Sequence, residues 1–484
     1  MQKFGDHAID FGAYYENIEQ KNANAGNTVY LLASPFRNEA GATISSDLLP
    51  VIRGGGDEAR LVSYFGLLTY GFNNRYFINA NLRRDGSSRF GADNKWATFW
   101  GVGASWIISD EAFMQNFKGV LSELKFKASY GTVGNQEGIG FYEAQGIVGR
   151  QVYNSVTGTT QTTLENTELQ WEERKKFNTG FDYAIFNNRL RGSLEYYNET
   201  TENLFLPRPV SRTTGFTSLT VNIGSVRNSG VEFGLNGDVL RSRDIKLTFN
   251  GNITYNKNQI LQLADRDSIP AGLAIRVIGQ PINSIFLAEY AGVNPTNGEA
   301  LYRTLDGKTT EEFNPSLKQI VGKSDPDVFG GFGFNFDFKG LALNTQFTYM
   351  LGTHVYNNER VNLEHPDYLA DNISADLLRE WQRPGDITDI ASPNSLFQGA
   401  QDESTRFLDN NSFVRLRNIS LSYNIPKGIS DAAKLRGASI YVSGTNLWVA
   451  TKYRGRDPEF PGVSVTGAQY PALRTVQAGI RINF

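Results

Sequence analysis

The residue types that most often carry out chemistry are sparse in this sequence. Histidine occurs three times, as His7, His354 and His365, and cysteine not at all. The three histidines are far apart and have no metal-ligand companions, so neither a zinc site nor thiol catalysis can be assembled from them. Asp325 and Asp327 in "SDPDVFGG" are the one pair with a calcium-like look, yet Asp-Pro-Asp is also an ordinary turn opener, and no cofactor is expected. The glycines of "FGGFGF" alternate with phenylalanine and open no helix, unlike a phosphate-binding loop. No catalytic residue is expected, and the chain does not read as an enzyme.

Two other sets of residues could act by contact. Lys125, Lys127, Arg189, Arg191, Glu195, Glu232, Lys246 and Asp337 alternate with apolar neighbours, and could line a wet path for a substrate or simply meet water. Tyr142, Tyr153, Trp171, Tyr356 and Trp381 fall in long connections. There they could stack on sugar rings, grip peptide side chains, pack the loops themselves or meet another protein. Trp96, Trp100, Trp106 and Tyr183 read better as an aromatic girdle.

The elements that must position these residues are strands. In 245 to 255, Ile245, Leu247, Phe249, Ile253 and Tyr255 fall on one face and Lys246, Thr248, Asn250, Asn252 and Thr254 on the other; Phe332, Phe334, Phe336 and Phe338 repeat the pattern. Composition agrees, with 12 % aromatic residues and 49 glycines. A mean hydropathy of −0.36 does not exclude a membrane, because a barrel is polar on its inner face. No run approaches the ~18 apolar residues of a membrane helix. A formal charge of −3 argues against a nucleic-acid partner.

A soluble sandwich would alternate too. The connections argue for a barrel. Strands near 61–72 and 75–84, 174–186 and 189–198, 227–239 and 244–256, and 328–338 and 341–350 are joined by tight turns: "NNR" twice, "RSRD", and Lys339-Gly340. Long loops near 131–173, 199–226, 351–411 and 448–473 alternate with them. Short turns at one rim and long loops at the other are what an outer-membrane barrel requires, with the short turns periplasmic and the loops outside.

The same parity sends the last strand, near 474–484, down to a periplasmic carboxy terminus. It demands zero or two membrane-spanning strands in 257–327, for which "AIRVIGQPINSIFLAEYAG" could supply two short ones. The count is then about 14 to 16 strands, including one near 8–20. In "SFVRLRNISLSYNIP" the apolar phase slips near Asn418, which a β-bulge would explain. Short helices are expected near "SDEAFMQNFKGV" and "ISADLLREWQ", and no separate soluble domain.

From about residue 75 onward the chain also resembles the SusC/RagA family of TonB-linked outer-membrane proteins. The resemblance is carried in order by "NLRRDGSSRFGADNKWATFWGVGASWIISDEAFM", "LKFKASYGTVGNQ", "LQWEERKKFNTGFDYAIFNNRLRGSLEYYNETTENLF", "NIGSVRNSGVEFGLNGDV", "SFVRLRNISLSYNIPKG" and "SGTNLWVATKYRGRDPEF". It implies an all-β, antiparallel up-and-down transmembrane barrel of about 22 strands, of which this chain supplies the later part, without the plug or TonB box. It further implies import of oligosaccharides or peptides, a SusD-like surface lipoprotein as lid, and TonB–ExbBD acting through a plug region outside this chain. The barrel-assembly machinery and outer-membrane lipids are expected partners, and Phe484, with Ile480 and Ile482, resembles the family's assembly signal. The competing reading is a surface receptor or adhesin-like barrel without active transport.

Overall fold

The computed structural model describes residues 2–30, 47, 49–154, 156–263, 266–365, 372–397, 403–459, 462–465 and 470–484. Parts of the loops expected at 351–411 and 448–473 lie outside the described residues. Fifteen strands form one sheet in chain order: Gln2–Phe4, His7–Thr28, Val51–Phe72, Tyr76–Ser87, Trp96–Ile107, Leu121–Asn135, Glu172–Ile185, Leu190–Glu202, Ser225–Arg241, Ile245–Gln262, Val328–Phe338, Leu341–Leu351, Phe413–Asn424, Gly437–Thr451 and Thr475–Asn483. Each strand neighbours the next in sequence, which is up-and-down topology. The chain packs as two compact units, one of Met1–Gly103, Tyr130–Lys175 and Thr201–Ile223, the other of Ala104–Ser129, Lys176–Thr200 and Gly224–Phe484.

Register in the second unit accounts for the period of two. Leu240, Leu247, Phe336, Leu343, Leu421, Val442 and Ala478 stand opposite one another across seven strands. A row on the other face reads Asn236, Asn250, Gly333, Gln346, Asn418, Thr445 and Thr475. Cross-strand partners share a face, so a slip of one residue in any strand would insert a polar side chain into the apolar row. Tight turns set the register. Asn73 and Asn74 take φ of 52° and 51°, Asn187 and Asn188 55° and 64°, and Lys339-Gly340 46° and 89°. Asparagine and glycine tolerate this left-handed region, and two such residues in succession match the twist of a hairpin.

The phase slip is a bulge at Arg417. Leu416 pairs with Phe347 and Asn418 with Gln346, leaving Arg417 extra; on the other side Leu416 pairs with Trp448 and Asn418 with Thr445.

Several expectations change. Beyond the end of Ile245–Gln262, the described residues of 257–327 add no strand to the large sheet, which satisfies the zero case of the parity argument. They fold instead into small sheets, Ser268–Ala271, Ala274–Val277, Ser284–Ala288 and Lys318–Lys323 in one, Tyr290–Val293, Ala300–Arg303 and Thr309–Thr310 in another. The loops near 131–173 and 199–226 each carry a hairpin, Val148–Tyr153 with Val156–Gln161 and Phe205–Pro209 with Ser218–Asn222. The strand expected at 8–20 runs from His7 to Thr28, because backbone pairing of Glu19–Thr28 with Val51–Arg60 carries the ladder past the last large apolar residue. The helices expected near 109–120 and 373–382 are 3-10 turns at Ile108–Asp110, Ala112–Phe117 and Ala375–Arg379. Three short α-helices not anticipated occur at Asn358–Leu363, Pro393–Phe397 and Lys427–Ala432.

Where the apolar row meets hydrocarbon, Leu343→Arg destabilises by about 2–4 kcal/mol, whereas Ser420→Arg on the polar face changes stability by about 0.5 kcal/mol. Denaturant titration of the reconstituted protein, followed by tryptophan fluorescence, measures both.

Candidate functional site

On the polar face of the second unit, Arg191, Asn236, Asn250, Asn252, Gly331 and Gln346 border an open trough of about 370 Å³. Amides give this surface donors and acceptors in equal supply. Glycine is required where strands approach closely: a Cβ on Gly333 would stand 2.4 Å from the Thr345 carbonyl oxygen. The Asn252 Oδ1 accepts from the Gly331 amide at 3.0 Å, and the Asn344 side chain donates to that of Asn335.

The anticipated charges divide. Lys127 Nζ lies 2.8 Å from Asp182 and 2.6 Å from Glu195, a triad of which Asp182 was missed by sequence reading. Lys246 faces Asp337 directly across the ladder, a favourable cross-strand pair. Arg191 donates to the Asn188 carbonyl at 3.2 Å and borders the trough. Glu232 stands opposite Thr254. Arg189 belongs to the tight turn after Glu172–Ile185 rather than to a strand, and its carbonyl accepts from the Asp238 amide.

The loop aromatics divide as well. Trp171, 7 % exposed, packs in a core with Phe90, Phe99 and Leu169 and donates to the Lys95 carbonyl at 3.0 Å. Tyr356, 2 % exposed, packs with Ile285, Leu287 and Phe407, and its hydroxyl accepts from the Glu403 amide. These two therefore hold loops together and present no free stacking face. Trp381 donates to the Pro295 carbonyl at 3.1 Å and lies against Gly298. Tyr142 accepts from the Glu58 amide. Tyr153, at the hairpin tip, is 83 % exposed and free to meet a ligand or partner. Trp96 and Trp100 are exposed on their strand, while Trp106 donates to Glu111 at 3.0 Å and Tyr183 is half-buried.

The loops of the second unit have a charged interior of their own. Glu364 accepts from Arg360 at 2.8 Å and from Arg406 at 2.7 Å. Asp409 accepts from Arg454 and Asn357, each at 2.9 Å, and both Arg360 and Arg406 lie over the Phe407 ring. Burial pulls the Arg406 guanidinium below its ordinary value, and Glu364 opposes that pull.

The bulge gives the sheet a second grip on the loops. Arg415, buried beside it, pairs with Asp457, and Arg417 pairs with Glu459 while donating to Thr348 at 3.0 Å. Asp457 also accepts from the backbone N–H groups of Glu459 at 3.0 Å and Ala472 at 2.8 Å, pinning both ends of the loop 457–472. Neither "RLRN" nor "RDPEF" declares this pairing, because its partners lie some forty residues apart; the phase slip was the available signal.

The last strand pairs Ile480 with Ile440 and Ile482 with Ala438, and Phe484 stands one residue beyond it, 83 % exposed. Among the described residues no group of three or more His, Cys, Asp or Glu could hold a metal ion.

A single up-and-down sheet with one apolar and one amide-rich face defines an outer-membrane β-barrel wall. The family model "TonB dependent receptor-like, beta-barrel" matches residues 2–447, and the chain belongs to that family. It is 29 % identical to TonB-dependent receptor P3 of Formosa agariphila, aligning over 100 % of this chain and 51 % of that protein. It is 28 % identical to TonB-dependent receptor SusC of Bacteroides thetaiotaomicron, over 88 % of this chain and 44 % of that protein. The structure of the RagAB peptide transporter superposes with a TM-score of 0.88 at 30 % identity, covering 100 % of this chain and 54 % of that one. The SusC/RagA resemblance of the motifs is thus shared by whole-chain comparison. The chain spans about half the length of these relatives.

Asp457 sets the acid limit of the loop anchor. Burial raises its pKa, but the Ala472 and Glu459 amides and Arg415 together hold it below the ordinary 3.8. A depressed carboxylate stabilises above its unfolded value and loses that contribution as pH falls through the folded one. The anchor therefore holds at neutral pH and opens only below about pH 4. Asp457→Asn removes the Arg415–Asp457 ion pair at every pH, leaves Arg415 with Glu459 at 3.6 Å, and costs about 1–3 kcal/mol. Proteolysis of the 452–474 loop at pH 7 measures the change.

Proposed function

We propose that the chain forms the pore wall of a TonB-dependent nutrient importer of the outer membrane, taking up oligosaccharides or peptides. The observation that carries this reading is the paired rows: seven apolar residues in register on one face and seven amide, hydroxyl or glycine residues on the other. Amide-rich walls suit neutral, hydrogen-bonding chains, since each amide can both donate and accept as the substrate passes. The relative named a peptide transporter supports the peptide half of the substrate class.

In this reading the tight turns lie at the periplasmic rim and the loops outside, which places Phe484 in the periplasm. A SusD-like lipoprotein closes over the loops, and TonB–ExbBD pulls on a plug region of the whole protein. Tyr153, with Tyr142 and Trp381, offers the loop contacts for lid or substrate. Lys125, Lys127, Arg191, Glu195, Glu232, Lys246 and Asp337 face the water-filled path, with Arg189 at its rim. Phe484, Ile482 and Ile480 present the strand that the barrel-assembly machinery reads.

A strain lacking the gene fails to grow on one class of oligosaccharide or peptide as sole nutrient and regains growth with the gene restored. Unchanged growth on every class, with the protein present in outer membranes, favours the receptor or adhesin reading instead. Deleting Phe484 lowers the amount of heat-modifiable barrel in outer membranes about tenfold; equal amounts would remove the terminal residue from assembly.

A further inference from the structure

Adjacent arginines in "NLRRDGS" point to opposite faces of the Tyr76–Ser87 strand and meet opposite fates. Arg83, on the polar face, is saturated: it donates to Asp85 at 2.6 Å, to Glu16 at 3.0 Å and to Ser63 at 2.8 Å. Arg84 shares the apolar face with its cross-strand partner Tyr64, which in turn pairs with Tyr15. It is exposed, and no carboxylate among the described residues pairs with it. It lies over the Trp96 ring, with the guanidinium carbon 5.7 Å from the ring centroid. That ring lies flat because the strand beneath it carries Gly86, where a Cβ would stand 2.8 Å from the indole; Tyr64 stacks beside it at 6.2 Å.

Below Arg84 the same face is hollowed. Phe11, Ala13, Gly66, Ala80 and Leu82 border an open groove of about 800 Å³ that reaches Arg84. Small residues at 13, 66 and 80 leave room between larger neighbours. Arg84 lies eight residues above Tyr76, about 26 Å of strand, which for a tilted strand is near the upper edge of an apolar band about 25 Å tall. Four residues beyond Tyr64 on the neighbouring strand, the face turns to exposed ion pairs, Arg60 with Glu19 at 2.9 Å and with Glu58 at 2.6 Å. A free guanidinium held by an indole at the polar boundary, with an apolar groove leading away from it toward the bilayer centre, matches the shape and charge of an anionic lipid.

We propose that Arg84, Trp96 and the groove below them bind a lipid of the outer leaflet whose phosphate headgroup carries net negative charge, the phosphate on Arg84 and an acyl chain along Ala13, Gly66 and Ala80. The inference rests on the orientation given under the proposed function. The wall of the pore thus carries a lipid site on the side facing away from the substrate path.

The test uses the full-length protein extracted from outer membranes, delipidated in detergent and titrated with phosphatidylglycerol or phosphatidylcholine of identical chains. Bound lipid is counted by native mass spectrometry. The expected result is saturable phosphatidylglycerol binding about tenfold tighter than phosphatidylcholine. Arg84→Gln brings the two lipids level, Arg84→Lys keeps a preference, and Ala80→Trp weakens both lipids by filling the groove. Heat-modifiable migration shows that each variant is folded. Equal phosphatidylglycerol binding by wild type and Arg84→Gln overturns the proposal, as does full displacement of the lipid by equimolar inorganic phosphate. Recovery of the wild-type protein in the soluble fraction would instead sink the pore-wall reading, and the lipid site with it.

Discussion

Hydrocarbon offers no hydrogen bond to a peptide group, so every backbone N–H and C=O at membrane depth must find its partner in a neighbouring strand. The other features of this chain follow from that constraint. Strands must pair along their whole membrane-spanning length, pairing fixes which side chains share a face, and the face toward lipid must stay apolar at every alternate position. The row from Leu240 to Ala478 and its polar counterpart from Asn236 to Thr475 are the two consequences of one ladder. Glycines 331 and 333 serve the same end, letting strand and side-chain amides approach within hydrogen-bond range.

Above the ladder the constraint lifts, and the chain changes its chemistry. The long connections reach water, where buried polar groups can be matched by other side chains. The second unit's loops accordingly hold a charged interior around Glu364 and Asp409, with arginines stacked on Phe407. The bulge at Arg417 joins the two regimes. It interrupts pairing for one residue, turns a guanidinium toward the polar side, and places it where Glu459 can meet it, beside the Arg415–Asp457 pair. An irregularity of this kind re-aims a side chain at small cost to the ladder.

The strands were legible in the sequence because their period is imposed by the solvent on either side. Trp96–Ile107 and Val328–Phe338 fall where alternation places them, and the slip in "RLRNIS" marked the bulge. The 257–327 stretch was legible only in part: two of its short strands, Ala274–Val277 and Ser284–Ala288, fall in the segment that could supply two, but strands of four or five residues are too short for their period to say which sheet they join. Trp171 and Tyr356 were left open between loop packing and ligand contact, because an aromatic in a long loop looks alike whether it anchors that loop or waits for a ligand. Asp182, Asp457 and Glu459 were missed because ion pairs join residues distant in sequence and leave no local pattern. Arg84 was hidden beside Arg83, since only register separates a saturated arginine from a free one.

The central claim is that one face of this sheet meets lipid and the other water. The chain contains no cysteine, so a single substitution places one thiol in it, and the unsubstituted protein gives the labelling background. Phe334→Cys and Asn335→Cys stand side by side on Val328–Phe338, facing opposite ways. In intact outer-membrane vesicles, a water-soluble maleimide small enough to enter the pore should label position 335 and leave 334 unmodified until detergent is added, while a lipid-dissolved quencher should quench a fluorophore at 334 alone. Equal labelling of the two positions by the water-soluble reagent would contradict the account.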